Sequence, residues 1–255
     1  VTDLDAPRPV TVRGVTLGAG TPTVIVPLTA RSTPELLEQA APVVAAAPDL
    51  VEWRVDHLLA GGTDPDAVVA AGRALMGALG GLPLLATIRT GAEGGELPLP
   101  GDEYLAVYRA LLDAGVADLL DVEVMHALAP EVIAAAHDAH VPVVASNHDF
   151  DGTPAQEEIE RRLLLMAERG ADVLKIAVMP RSPEDVLTLL AATLAVRRQV
   201  EQPVITMSMA GTGVVSRLAG GMFGSAATFG TVGAASAPGQ VEVEALRRTL
   251  ALIHG

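Results

Sequence analysis

The chain has 255 residues, half of them hydrophobic, with 25 glycines, 18 prolines and no cysteine. That length suits one large domain with a sizeable core, and about 250 residues is the usual size of a closed α/β barrel. The net charge of −14 disfavours nucleic acid or an anionic membrane as partner, and the missing thiols exclude disulfides, thiolate metal sites and a cysteine nucleophile.

No apolar run approaches the ~20 residues that span a bilayer. The chain begins at Val1 with no charged-then-apolar secretory leader, so a processed start and a cytoplasmic location are the expectations.

In chain order, Val10 to Gly18 reads as a hairpin with Arg13-Gly14 near its middle. Eight strand-like runs follow: Val24–Leu28, Leu50–Val55, Leu84–Ile88, Asp118–Val124, Val141–Asn147, Asp172–Val178, Pro203–Met207 and Gly224–Phe229. Helical patterns lie near 34–47, 65–79, 102–114, 130–139, 154–169, 183–199, 213–220 and 241–253. In the first, Leu36, Leu37, Ala40, Val43, Val44 and Ala47 recur at steps of three and four. Thr33-Pro34, Asp64-Pro65, Thr153-Pro154 and Ser182-Pro183 each place a capping side chain before a proline, and Thr153 to Gln156 reads as a capping box. Gly115 and Gly170 stand where helices should stop.

Eight β-then-α units predict an α/β fold, a (β/α)8 TIM barrel forming a single domain over residues 1–255, with the N-terminal hairpin capping the bottom. An open doubly wound sheet is the rival, but no Gly-x-Gly-x-x-Gly turn follows the first strand.

Alternate residues of a barrel strand point inward. One set of parities collects Glu52, Arg54, Thr87, Arg89, Asp121, Glu123, Ser146, His148 and Lys175 inside, while Trp53, Val55, Ile88, Leu174, Ile176 and Val178 face the helices. Burying so many charges without purpose is expensive, and most lie toward strand C-termini, where barrel active sites form. A structural ion-pair plug is the alternative.

Lys175 is the only lysine; the other 16 basic residues are arginines. A desolvated lysine beside other cations has a lowered pKa, and the free amine attacks carbonyls as guanidinium cannot. A head snorkelled to the barrel mouth is the bland reading. His148 ends a strand beside Lys175's strand and is a natural proton carrier, with Asp149 available to orient it or a neighbour. Arg89 leads into a glycine-rich loop holding Glu93 and Glu96, either a ligand cradle or a plain flexible loop. In the last quarter, Arg217 suits a substrate carboxylate, and Ser236 and Gln240 suit hydroxyls or that carboxylate. Residues 230–239 read as a closing lid or as an ordinary mobile loop. Metal-binding spacings are missing, and Arg54, Arg89 and Lys175 compete for the carboxylates that a Mg²⁺ ion would need.

The segments Glu52-Trp53-Arg54-Val55-Asp56, Thr87-Ile88-Arg89 with Glu93-Gly94-Gly95-Glu96, Asn147-His148-Asp149-Phe150, Lys175 to Pro180, Thr206-Met207-Ser208-Met209, Ser216 to Gly220, Phe223 to Gly230 and Ser236 to Gln240, in that order, resemble the type I 3-dehydroquinate dehydratase family. The resemblance runs from about Val24 to the end. It implies a barrel that works as a homodimer without a cofactor, removing water from 3-dehydroquinate by syn elimination through a Schiff base to give 3-dehydroshikimate in the shikimate pathway. Carried over, Lys175 forms the imine, His148 moves the protons, and Glu93 is the acid near the imine. Glu52, Arg54 and Arg89 hold ring hydroxyls; Arg217, Ser236 and Gln240 hold the carboxylate and close the lid. Pro27-Leu28-Thr29-Ala30 and Gly211-Thr212-Gly213 depart from commoner members. The competing readings are a sugar-phosphate aldolase and a non-catalytic barrel that binds an acidic metabolite.

Overall fold

A computed structural model describes residues 7–233 and 239–255. It opens with an antiparallel hairpin, β1 (Val10–Val12) and β2 (Val15–Leu17), joined by Arg13 and Gly14 at φ 44° and 82°. Positive φ at both turn residues matches the right-handed twist of the strands.

Strands and helices then alternate: β3 (Thr23–Leu28), α1 (Thr33–Ala46), β4 (Leu50–Arg54), α2 (Val55–Ala60), α3 (Pro65–Ala78), β5 (Leu84–Thr87), α4 (Gly101–Asp113), β6 (Leu119–Glu123), α5 (Ala129–Asp138), β7 (Val143–Asp149) and α6 (Gln156–Glu168). The chain continues through β8 (Val173–Val178), α7 (Pro183–Arg197), β9 (Val204–Ser208), α8 (Val214–Ala219), β10 (Ala227–Thr231), β11 (Val241–Glu242) and α9 (Val243–His254). Among the described residues, β3 to β9 pair in sequence order, all parallel, and β10 returns to pair with β3. The ring closes between β9 and β10, where Ala226 N–H donates to Val204 C=O at 2.7 Å and Thr206 N–H donates to the Ser225 hydroxyl at 3.1 Å. The expected barrel is therefore present, with the two-residue β11 added beside β10.

The bottom interior layer is apolar: Ile25, Leu50, Leu85, Leu119, Val144, Val173, Ile205 and Ala227 share one cluster with Val12 and Leu17 of the hairpin. Arg13 adds an ion pair of 2.7 Å to Asp118, just before β6. The hairpin thus plugs the bottom, as expected. Outward residues such as Trp53, Ile88, Leu174 and Ile176 pack under the helices.

Helix starts follow the sequence signals with two corrections. Asp64 caps α3 by accepting Ala67 N–H at 2.9 Å, and before α7 the Asp185 carboxylate accepts the N–H groups of Arg181 and Ser182. At α1 the cap is Ser32, one residue ahead of Thr33. The capping box at Thr153 does not form: α6 starts at Gln156, and the Thr153 hydroxyl donates to Met179 C=O, 3.1 Å away, tying the loop after β7 to the end of β8. Val55 opens α2 instead of ending β4. Among the described residues, no helix is long and apolar enough to cross a membrane.

One local device opens the barrel toward its top. Pairing of β5 with β6 stops at Thr87 and Asp121. Beyond it the Tyr108 hydroxyl accepts Ile88 N–H at 3.1 Å and donates to Asp121 C=O, while the Tyr104 hydroxyl accepts Glu123 N–H at 3.2 Å. These two side chains on α4, the chain's only tyrosines, take over from the missing ladder bonds.

Candidate active site

Above the apolar floor the interior turns ionic. Asp121 is fully buried; its carboxylate accepts from Arg89 Nη2 at 2.6 Å, from the Ser146 hydroxyl, and from Lys175 Nζ at 2.8 Å. Burial alone would push its carboxyl up, but Arg89 and Lys175 outweigh burial and hold it below the usual carboxylate range. Arg89 also reaches Glu123 at 3.1 Å and Glu93 at 3.4 Å. Glu123 anchors Thr90 through both its N–H and its hydroxyl, at 2.7 Å each.

Lys175 leaves the middle of β8 and is 3 % exposed. Its nearest charged neighbours are carboxylates, Asp121 and, at 3.6 Å, Glu52, rather than the cations expected. Glu52 is held by the Thr87 hydroxyl at 2.9 Å. The Phe229 ring lies 4.8 Å from Nζ and walls the amine on another side. A buried amine opening onto a cavity can add to a carbonyl, and the flanking carboxylates stabilise the cationic imine that results.

Glu93, not Asp149, orients His148. Glu93 Oε2 lies 3.1 Å from His148 Nδ1 and accepts the His148 backbone N–H at 2.9 Å. Asp149 instead faces Arg162 at 3.0 Å, because successive residues of a strand point to opposite faces. Burial lowers the imidazole well below the ordinary histidine range, with Arg89 and Lys175 acting in the same direction. Burial raises the Glu93 carboxyl to about 7, with Arg89 opposing and Glu123 assisting. A neutral imidazole with Nδ1 engaged leaves Nε2 as the base. Glu96, the second acid of that loop, turns to the rim and pairs with Arg31.

Arg54 is fixed by a two-pronged pair to Asp56, 2.7 Å for each contact. Arg217 leaves α8 and is 3 % exposed; burial draws its guanidinium down to about 10, a shift that a bound carboxylate would reverse. Together with Gln240, these two arginines, Glu52, Arg89, Glu93, His148 and Lys175 line one cavity of about 170 Å³. Eight of the nine expected site residues therefore meet; the ninth, Ser236, lies outside the described residues. The lining also includes Gly94, Phe150, Ala177, Met207, Met209 and Phe229, to which the sequence reading gave no site role. Strand parity reaches Met207, Met209 and Phe229 once it is extended to β9 and β10.

Comparison with known proteins follows the same lines. A family model described as type I 3-dehydroquinase matches residues 24–255. The 3-dehydroquinate dehydratase of Lactiplantibacillus plantarum is 50 % identical over 240 residues, covering 93 % of this chain and 95 % of the relative. That of Escherichia coli is 47 % identical over 250 residues, covering 97 % and 99 %. Among solved structures, 3-dehydroquinate dehydratase from Geobacillus kaustophilus superposes with a TM-score of 0.93 at 37 % identity, covering 97 % of each chain. The type I enzyme from Clostridium difficile, solved with covalently modified comenic acid, gives 0.92 at 41 % identity and 98 % of each. With a family model spanning most of its length and relatives near half identity, this chain belongs to the type I 3-dehydroquinase family.

Proposed function

We propose that the chain dehydrates 3-dehydroquinate through a Schiff base on Lys175, with His148 as the base and acid. The dehydratase activity and its Schiff-base course follow from membership of the type I family. The residue roles rest on one observation above all: the single lysine of the chain and a histidine held neutral by burial line the same cavity.

The free amine adds to the C3 ketone, and loss of water leaves a protonated imine, with the Asp121 and Glu52 carboxylates placed to stabilise the cationic nitrogen. The imine draws electrons from C2, so His148 Nε2 can remove a C2 proton to give an enamine. The enamine pair then expels the C1 hydroxyl, which leaves as water with the proton from His148. Hydrolysis of the conjugated imine by water restores the amine and releases 3-dehydroshikimate. One imidazole serving both steps requires proton and hydroxyl on one ring face, hence syn elimination. Glu93 keeps the imidazole oriented; Glu52, Arg54 and Arg89 take ring hydroxyls; Arg217, Gln240 and Ser236 take the carboxylate.

Borohydride added with 3-dehydroquinate tests this. A reduced adduct on Lys175, absent in Lys175→Ala, is expected together with the ultraviolet absorbance of the conjugated enone product. Turnover that survives Lys175→Ala would overturn the assignment. We further propose one barrel domain over residues 1–255, acting as a cytoplasmic homodimer. The family resemblance supports the dimer, and light scattering giving the mass of a single chain would refute it.

A further inference from the structure

We infer that Arg162 and Asn147 are positioning residues for proton transfer: Arg162 fixes the direction of the Asn147 amide, and that amide holds Glu93 against His148. The inference rests on the roles just given to Lys175 and His148.

Asn147 precedes His148 in β7 and is 6 % exposed. Its Nδ2 donates to Glu93 Oε1 at 2.9 Å, and its Oδ1 accepts from Arg162 Nη1 at 3.0 Å. A guanidinium only donates and an ionised carboxylate only accepts. Turning the amide over would set NH₂ against the guanidinium and Oδ1 against the carboxylate, so only one orientation satisfies both neighbours. Arg162 is fixed in turn by Glu158 on its own helix α6, at 2.7 Å, and by Asp149 at the end of β7, at 3.0 Å. A chain of polar contacts therefore runs from the surface of α6 through Arg162, Asn147 and Glu93 to the imidazole.

The charges facing this chain set the direction of the effect. Around Glu93 stand Arg89 at the end of β5, Glu123 on β6, and Asn147 and His148 on β7; the amide bond favours the ionised carboxylate and Glu123 opposes it. Around His148 stand Arg89, Lys175, Asp121 and Arg54. Arg162 faces Glu158, which Arg161 shares, and Asp149. Ionised Glu93 accepts the Nδ1–H and leaves Nε2 basic. Without the Asn147 donor, Glu93 takes up its proton at higher pH, and the base is lost sooner on acidification.

The test compares Asn147→Ala, Arg162→Ala, Arg162→Lys and Arg161→Ala across the neutral pH range. Asn147→Ala should lower kcat about tenfold near neutrality and move its acid limb up by about one pH unit, with recovery at alkaline pH. KM should stay within about twofold, and borohydride should still trap substrate on Lys175. Arg162→Ala should move the limb the same way by about half as much, and Arg162→Lys should restore part of the shift. Arg161→Ala loses an ion pair to the same Glu158 but never meets Asn147, so it should keep the parent profile. If Asn147→Ala does not fold, Arg162→Ala, partly exposed on α6, carries the test alone. An acid limb that stays put, or a loss equal at every pH, overturns the proposal. Failure of the parent chain itself to trap substrate or turn over would instead sink the underlying reading of Lys175 and His148.

Discussion

One carboxylate oxygen, Glu93 Oε2, grips both the ring and the backbone of His148, at 3.1 Å and 2.9 Å. Burial brings that carboxyl to about 7, so Glu93 changes charge near neutrality. Turnover should fall as the pH drops through about 7. Glu93→Gln should lower kcat by about a hundredfold and flatten that limb, as measured by steady-state rates against pH.

The same shift bears on stability. Glu93 binds its proton more tightly folded than unfolded, so its contribution is full below 4.5 and is lost as the pH rises through about 7. His148, lowered by burial, works the other way, because the unfolded chain takes up that proton as the pH falls through the ordinary histidine range. Relative to the parent, Glu93→Gln should therefore be less stable at about pH 5 than at about pH 8, by about 2.5 kcal/mol over that window. Chemical denaturation at the two pH values reads the difference; a parallel offset would contradict it.

Asp121 bridges Arg89 and Lys175 inside the barrel. Asp121→Ala leaves two buried cations without their common partner, which should destabilise the fold by about 3–5 kcal/mol. Asp121→Asn keeps the shape but not the charge, and should fall between that variant and the parent in melting temperature.

Tyr108→Phe isolates the opening between β5 and β6. It leaves Ile88 N–H and Asp121 C=O without the hydroxyl that now satisfies both. A stability loss of about 1–3 kcal/mol is expected, read from the denaturation midpoint, with less effect on kcat than Glu93→Gln.

Gly94 has φ +78°, and a Cβ there would lie 2.4 Å from the Phe150 ring. Gly94→Ala combines left-handed strain of about 1–2 kcal/mol with displacement of a ring that lines the cavity mouth. KM should rise severalfold while trapping on Lys175 persists.

The parity of the strands made much of the site legible. Glu52, Arg54, Arg89, Asp121, Glu123, His148 and Lys175 could be gathered inside because alternate side chains of a strand share one face. Pairings within that set were not legible. Asp149 looks like the natural partner of His148, yet the alternation turns it toward Arg162, and the actual partner comes from a loop 55 positions away. Lys175 looks like a cation among cations, yet it meets Asp121 and Glu52, because β4 and β6 present carboxylates at its level.

What the sequence alone determined is the repeating β-then-α order and the side of each strand that turns inward. Both follow from local periodicity, which a linear chain displays directly. Closure of the ring decided the rest. It set the height at which each inward residue stands, so it chose which cation meets which carboxylate. It also brought α6 behind β7, and that joined Arg162 to the imidazole through the Asn147 amide and the Glu93 carboxylate. Such choices depend on distances between segments far apart along the chain, and no local pattern encodes them.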